Sequence, residues 1–269
     1  AFLAILAAPE FGSGPAVKPV AAVTVLMAIL WMTEAAPLVV TALIPLALFP
    51  ALGVSDIRTA AAPYADPVIF LFLGGFVLGA AMERSGLHKR VGLGCAAAAG
   101  ATPRRLVAGM LGATALVSMW VSNSAAAVLM MPVAMAVLAL SEDHGGREDP
   151  VSYRNLGVAL LLAVAYGASI GGIATLIGTP PNALLAGYMA QEHGIEIGFG
   201  QWMMVGVPVA LVLLAAAWGT LILLNPVKLV LPEASVLFRE EKARLGAMSR
   251  AEVRVCIIFA LAAFAWIFR

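Results

Sequence analysis

Residues 106–140 read LVAGMLGATALVSMWVSNSAAAVLMMPVAMAVLAL, an apolar stretch with no charge that breaks at its midpoint on Ser122-Asn123-Ser124. A second apolar stretch, residues 155–190, breaks on Gly178-Thr179-Pro180-Pro181-Asn182. A bilayer tolerates an interrupted hydrophobic segment only where the loosened backbone is buried in protein or lines a cavity. In transporters such interruptions point to an ion and substrate site.

The chain as a whole belongs in lipid. Of its 269 residues 62% are hydrophobic and only 12% charged, with a mean hydropathy of +0.99. A soluble domain this size could not hide so much apolar surface, and its apolar runs recur at membrane-spanning length. The fold class is an all-α polytopic membrane protein. The net charge of +1, with basic residues that never interleave with aromatics, gives no nucleic-acid surface. Cys95 and Cys256 form no CxxC or Cys/His spacing, so they read as small apolar side chains and not as a disulfide or metal site. There is no initial Met, Ala1–Ala8 reads as the tail of an apolar segment, and Arg269 falls inside an apolar run. The chain is therefore expected to be a fragment.

Along the chain, Val17–Thr33 is a first span. Leu38–Leu48, flanked by Pro37, Pro45 and Pro50, is a kinked one. Ser55–Asp66 is expected to be an external loop and Pro67–Met82 a glycine-rich span. Gly75 and Gly79 have the small-xxx-small spacing, which is common by chance in apolar sequence and is given no special role. Residues 83–100 are expected to form a short helix along the interface. Ser141–Arg154 is read as a polar loop, Trp202–Leu224 as a span, and 225–254 as a polar linker before a last span from Val255.

Lys and Arg counts set the topology. If 106–140 crossed the bilayer once, Arg84, Lys89, Arg90, Arg104 and Arg105 would oppose Arg147 and Arg154. If it enters and returns as a re-entrant hairpin, all seven share one side, joined by Lys228, Arg239, Lys242, Arg244, Arg250 and Arg254. Only Lys18 and Arg58 then lie opposite, with Arg269 at the chain's end. The hairpin is favoured, with its basic ends cytoplasmic. Its arms of 16 residues each reach about 24 Å, short of a core of about 30 Å. Residues 155–190 would reach about 54 Å as one helix, too long for one span. A helix, an unwound stretch and a second short helix resolve this, at a depth matching the hairpin tip.

Chemistry follows from the helix ends. At the tip, the first arm ends in unpaired carbonyls that suit a cation, and the second begins with N–H groups that suit an anion. Ser122, Asn123 and Ser124 are good N-cap residues and neutral oxygen ligands. Ser118, one turn earlier, is expected to share the face of Ser122. A neutral oxygen cage suits a monovalent cation such as Na⁺, whereas Ca²⁺ would call for carboxylates.

At these residues the chain resembles the divalent anion/sodium symporter family, carriers of di- and tricarboxylates and sulfate. Ser118-Met-Trp-Val-Ser122-Asn123-Ser124 is similar to that family's first hairpin tip. Ser169 to Asn182 is similar to the partner loop, and Trp31-Met-Thr-Glu-Ala-Ala-Pro37 with Thr41 and Pro45 to Gly53 to an early segment. The resemblance implies an inverted-repeat, elevator-type transporter in a bacterial inner membrane, working as a homodimer. It implies Na⁺ as coupling ion on Ser118, Ser122, Asn123 and Gly178. It further implies a small anionic substrate on Asn123, Ser124 and Thr179, with Pro180 and Asn182 shaping the loop. Residues 1–101 would be scaffold. Residues 102–224 would be half of the transport domain, with hairpin 103–140, broken helix 155–190 and span 202–224. Residues 225–269 would be a cytoplasmic linker and the first span of a C-terminal repeat otherwise missing. Ser124 stands where the family usually has Thr, keeping the hydroxyl and losing a methyl, which leaves the preferred anion open.

Rival classes fare worse. An intramembrane hydrolase needs a nucleophile beside a base, yet His88, His144 and His193 fall in expected loops away from both breaks. Neither GxSxG nor HExxH occurs, and no organic cofactor is called for. Glu34 admits two readings, proton relay or interfacial residue beside Pro37. An anion exchanger of the same fold, or a channel or structural subunit, remains as the alternative to a symporter.

Overall fold

The computed structural model describes residues 2–7, 14–99, 102–142, 148–228, 240 and 243–268, and every regular element among them is helical. His144, Arg147, Arg239 and Lys242 lie outside the described residues. The chain divides into two compact units, Ala1–Ile69 and Phe70–Arg269.

The first unit holds α1 (Phe2–Ala7), α2 (Val17–Thr33), α3 (Leu38–Ala42), α4 (Ile44–Ala51) and α5 (Ile57–Ala61), the last followed by a 3₁₀ turn at Ala62–Ala65. The expected kink falls at Leu43, because Pro45 in the first turn of α4 has no N–H to continue the ladder of α3. Ser55–Asp66 is not the loop expected. Asp56 caps a helical turn by accepting the Thr59 N–H at 2.6 Å, and the alanines behind it favour helix. Glu34 ends α2 in the left-handed conformation, φ 51°, exposed to solvent.

The second unit holds most of α6 (Pro67–Ser85), then α7 (Leu87–Ala99), α8 (Pro103–Ser118), α9 (Asn123–Ser141), α10 (Pro150–Ile173), α11 (Pro180–His193), α12 (Phe199–Leu224) and α13 (Arg250–Ile267). The hairpin is visible in its core. Leu106 and Met110 from the start of α8 pack with Ala134, Val137 and Leu138 from the end of α9, and both meet Leu156 and Leu160 at the start of α10. At the other end Val117, Val121 and Ala126 cluster with Ala168 of α10. The chain thus goes out along α8 and returns along α9. Gly167 and Gly171 let α10 lie against the α8 backbone, since a Cβ on Gly167 would come within 2.6 Å of the Leu111 carbonyl.

Several boundaries differ from expectation for reasons of capping. Asp149 accepts the Ser152 N–H at 3.0 Å, and Pro150 opens α10 where a missing donor costs nothing. That helix therefore starts five residues before Asn155. Ser249 and Glu252 form a capping box that starts α13 at Arg250, ahead of Val255. At the start of α12, Gln201 Oε1 accepts the Gly198 N–H at 2.9 Å, which fixes the first turn at Phe199. The segment after Ser85 is a helix, as expected, but it is packed: Leu93 joins the core of the hairpin. His88 is not a solvated loop residue. It is buried in α7, with Nδ1 3.0 Å from the Met82 carbonyl; a carbonyl only accepts, so Nδ1 carries the proton. His193 ends α11, exposed, with its ring edge on Tyr188.

Among the described residues three helical stretches are long and apolar enough to cross a membrane: Ile57–Ser85, Pro150–Ile173 and Phe199–Leu224. Only 11% of the Phe199–Leu224 window is buried against protein, so nearly all of that apolar helix needs a non-aqueous neighbour. The chain is a multi-pass membrane protein.

Candidate functional site

Helix α8 stops at Ser118 and α9 starts at Asn123, with four residues between them. Ser122 is the N-cap, its hydroxyl accepting the Ala125 N–H at 3.3 Å. The relation expected between Ser118 and Ser122 fails, because the two are not on one helix. Asn123 takes that place: its side-chain oxygen lies 2.8 Å from Ser118 Oγ, which also lies 2.6 Å from the Ala168 carbonyl of α10. One hydroxyl hydrogen cannot serve both. The network closes when the Asn123 amide turns its nitrogen to Ser118 and Ser118 donates to Ala168. Ser118 is fully buried, Asn123 half-buried, and Ser122 and Ser124 are exposed.

The second break runs from Ala174 to Thr179, a few residues before the expected stretch. Pro180 and Pro181 lie inside α11 as its first residues, where they leave no helical bond unmade. The loosened carbonyls are held from three directions. Asn182, buried, donates from Nδ2 to the Gly172 carbonyl at 2.9 Å and the Thr175 carbonyl at 2.8 Å. Trp202 of α12 donates its indole N–H to Ile173 at 3.0 Å. The Thr175 hydroxyl donates to Met119 at 2.5 Å, reaching across to the hairpin tip.

The two breaks meet. A Cβ on Gly172 would lie 2.5 Å from the Asn123 side-chain amide and 3.2 Å from the Gly178 carbonyl, so only glycine fits between them. Of the residues singled out from sequence, Ser118, Asn123 and Gly178 converge here. Asn182 is adjacent, with its amide turned onto backbone. Ser122, Ser124, Thr179 and Pro180 flank the same breaks on their more open side. Neither Ser124 nor Thr179 makes a side-chain hydrogen bond among the described residues. Helix α6 covers the other side. Gly75 packs on Ile177, and Gly79 on the Trp120 carbonyl and Val121, so the glycine spacing first given no role is the contact with both breaks. The Trp120 ring stands edge-on to Phe259 of α13, centroids 4.8 Å apart, and stacks on Phe199 at 6.2 Å.

This is a neutral site of hydroxyls, amides and carbonyls, and none of the residues in contact there is charged. Sequence reasoning missed Thr175 and Trp202. Thr175 carried a signal, a lone hydroxyl in an apolar run three residues before Gly178; Trp202 carried none.

The chain matches the model of the family CitMHS, citrate transporter, over residues 28–269. It is 41% identical over 253 residues to the sodium-dependent dicarboxylate transporter SdcS of Staphylococcus saprophyticus subsp. saprophyticus. It is 38% identical over 253 residues to the protein of the same name from Staphylococcus aureus strain USA300. Each match covers 93% of this chain and 49% of the relative, so the chain spans about half the length of the curated relatives it matches. The family and these relatives are named as transporters, not enzymes. From the motifs, the fold and the match over residues 28–269, the chain belongs to the CitMHS citrate transporter family.

Proposed function

We propose that this chain is the first-repeat half of a sodium-coupled secondary transporter of small divalent anions, di- and tricarboxylates such as succinate or citrate foremost. Na⁺ is held by Ser118, Ser122, Asn123 and the Gly178 carbonyl. One substrate carboxylate lies on Asn123, Ser124 and Thr179. Pro180 shapes the loop, and Asn182 keeps it open by occupying the Gly172 and Thr175 carbonyls. The observation that carries this reading is Gly172, wedged between Asn123 and Gly178. It brings a cation-favouring helix C-terminus and an anion-favouring N-terminus to one place without a formal charge, so ion and anion each complete the field for the other. The names of the relatives support sodium and a dicarboxylate.

In the same reading, a second repeat supplies the other tip and the rest of both sites. The relatives' length, about twice that of this chain, supports it. Residues 102–224 move elevator-fashion against a dimeric scaffold of 1–101 and 225–269. The small, smooth face that α6 turns to the breaks at Gly75 and Gly79 suits a surface that slides. The test is uptake of labelled succinate and citrate by the complete protein in proteoliposomes, with Na⁺ or K⁺ outside. Saturable uptake that requires Na⁺ is expected; linear, sodium-independent flux would contradict the reading.

A further inference from the structure

A cavity lies away from the breaks, at the base of the hairpin, where α8 begins and α12 ends. Its volume is about 260 Å³, and Pro103, Arg104, Val107, Ala159, Ile222 and the segment from Asn225 to Lys228 line it. Most of its wall is apolar, with Asn225 as a neutral polar member, and its two charged members are both cations. The frame is fixed by hydrogen bonds. Trp218 donates its indole N–H to the Arg104 carbonyl at 2.9 Å, Asn155 donates to the Pro226 carbonyl at 3.0 Å, and the Lys228 N–H donates to Ser152 Oγ at 3.2 Å. None of the three uses the Arg104 guanidinium or the Lys228 ammonium, and among the described residues neither group has an ion-pair partner. Asp149, which lies near enough to feel Lys228, is engaged as the cap of α10 and does not line the cavity.

The surface beside the cavity is greasy. Leu223 and Leu224, in the last turn of α12, are 80% and 73% exposed, on a helix that is almost bare of protein contacts. An apolar wall with a cationic rim, opening beside bare leucines at the end of a membrane span, fits a ligand with an anionic head and hydrocarbon tails. We infer that this cavity binds the phosphate headgroup of an anionic glycerophospholipid, with Arg104 and Lys228 on the phosphate and the acyl chains along Leu223 and Leu224. The lipid would brace the base of the hairpin against α12. This inference does not depend on which ion or anion is carried.

The test uses the complete protein in mild detergent. Its thermal midpoint and its lipid retention in native mass spectrometry are measured with phosphatidylglycerol, with phosphatidylcholine and with inorganic phosphate. Phosphatidylglycerol is expected to raise the midpoint and be retained, and the other two to do neither. The double variant Arg104→Gln/Lys228→Gln should retain it about twenty-five-fold less, from about fivefold per cation. Ile222→Trp, which fills the cavity and keeps both charges, should lose the same shift. Arg58→Gln, a cation elsewhere, should keep it. Equal responses to both lipids, a full response to inorganic phosphate alone, or unchanged retention in both cavity variants would overturn the assignment. Sodium-dependent uptake is a separate readout, so failure here leaves the transport reading standing.

Discussion

The Thr175 hydroxyl donates to the Met119 carbonyl at 2.5 Å, joining the unwound segment after α10 to the unwound segment after α8. Thr175 is fully buried, so no water replaces this bond if it is lost. The spacing of Asn123 from Gly178 therefore depends on Thr175, whose own carbonyl accepts the Gly178 N–H at 3.3 Å. Thr175→Val keeps the shape and removes the donor, losing a part-buried hydrogen bond worth about 0.5–1.5 kcal/mol. The half-saturating Na⁺ concentration for uptake is expected to rise about tenfold, equivalent to about 1.4 kcal/mol. Thr175→Ser should restore it. A valine variant with wild-type sodium dependence would show that the strap does not position the site.

Two glycines should respond oppositely to alanine. At Gly172 the new Cβ meets Asn123 and the Gly178 carbonyl, and such overpacking costs about 1–3 kcal/mol. Uptake by Gly172→Ala should fall about tenfold or more. At Gly112 in α8 a Cβ meets nothing within 4 Å, and alanine is the better helix former by about 0.5–1 kcal/mol. Gly112→Ala should keep its uptake and melt no lower than wild type.

Arg90 of α7 makes a forked pair with Glu252 of α13, Nε to Oε1 at 3.0 Å, and donates to the carbonyls of Leu245, Gly246 and Ala247. A lysine cannot reproduce that fork. Arg90→Ala should lower the thermal midpoint, and Arg90→Lys should recover only part of the loss, as measured by a thermal-shift series on the purified protein.

Burial pushes the His88 imidazole below its ordinary value, outweighing the opposing pull of the Met82 carbonyl and Glu83. Helix α7 is not among the apolar, membrane-length helices. Below the ordinary histidine value of about 6.5, the unfolded chain takes up a proton that the folded imidazole resists. Stability is therefore lost as pH falls through that region and is retained above it. The thermal midpoint of wild type should drop on acidification from pH 7 to about pH 5.5. His88→Gln should flatten the part of that drop that His88 causes.

Both breaks were legible because polar, Gly and Pro residues inside apolar runs are strong local punctuation. The hairpin was legible because charge asymmetry and arm length agreed. What lies across space was not. Gly75 and Gly79 cannot be told from chance glycines without seeing Ile177 and Trp120 against them. His88 sits among charges that suggest water, yet its own face of α7 turns inward. The early starts of α10 and α13 were written in Asp149-Pro150 and in Ser249 to Glu252. Hydrophobic periodicity alone overlooks such caps, which act through hydrogen bonds rather than burial.

The most direct test is a sodium titration of dicarboxylate uptake by the complete protein carrying Asn123→Ala, beside wild type and Gly112→Ala. If Asn123 is the point where the two breaks share an ion and an anion, uptake should fall by about tenfold or more and the half-saturating Na⁺ concentration should rise. Gly112→Ala should follow wild type. Wild-type uptake and sodium dependence in Asn123→Ala would contradict the account.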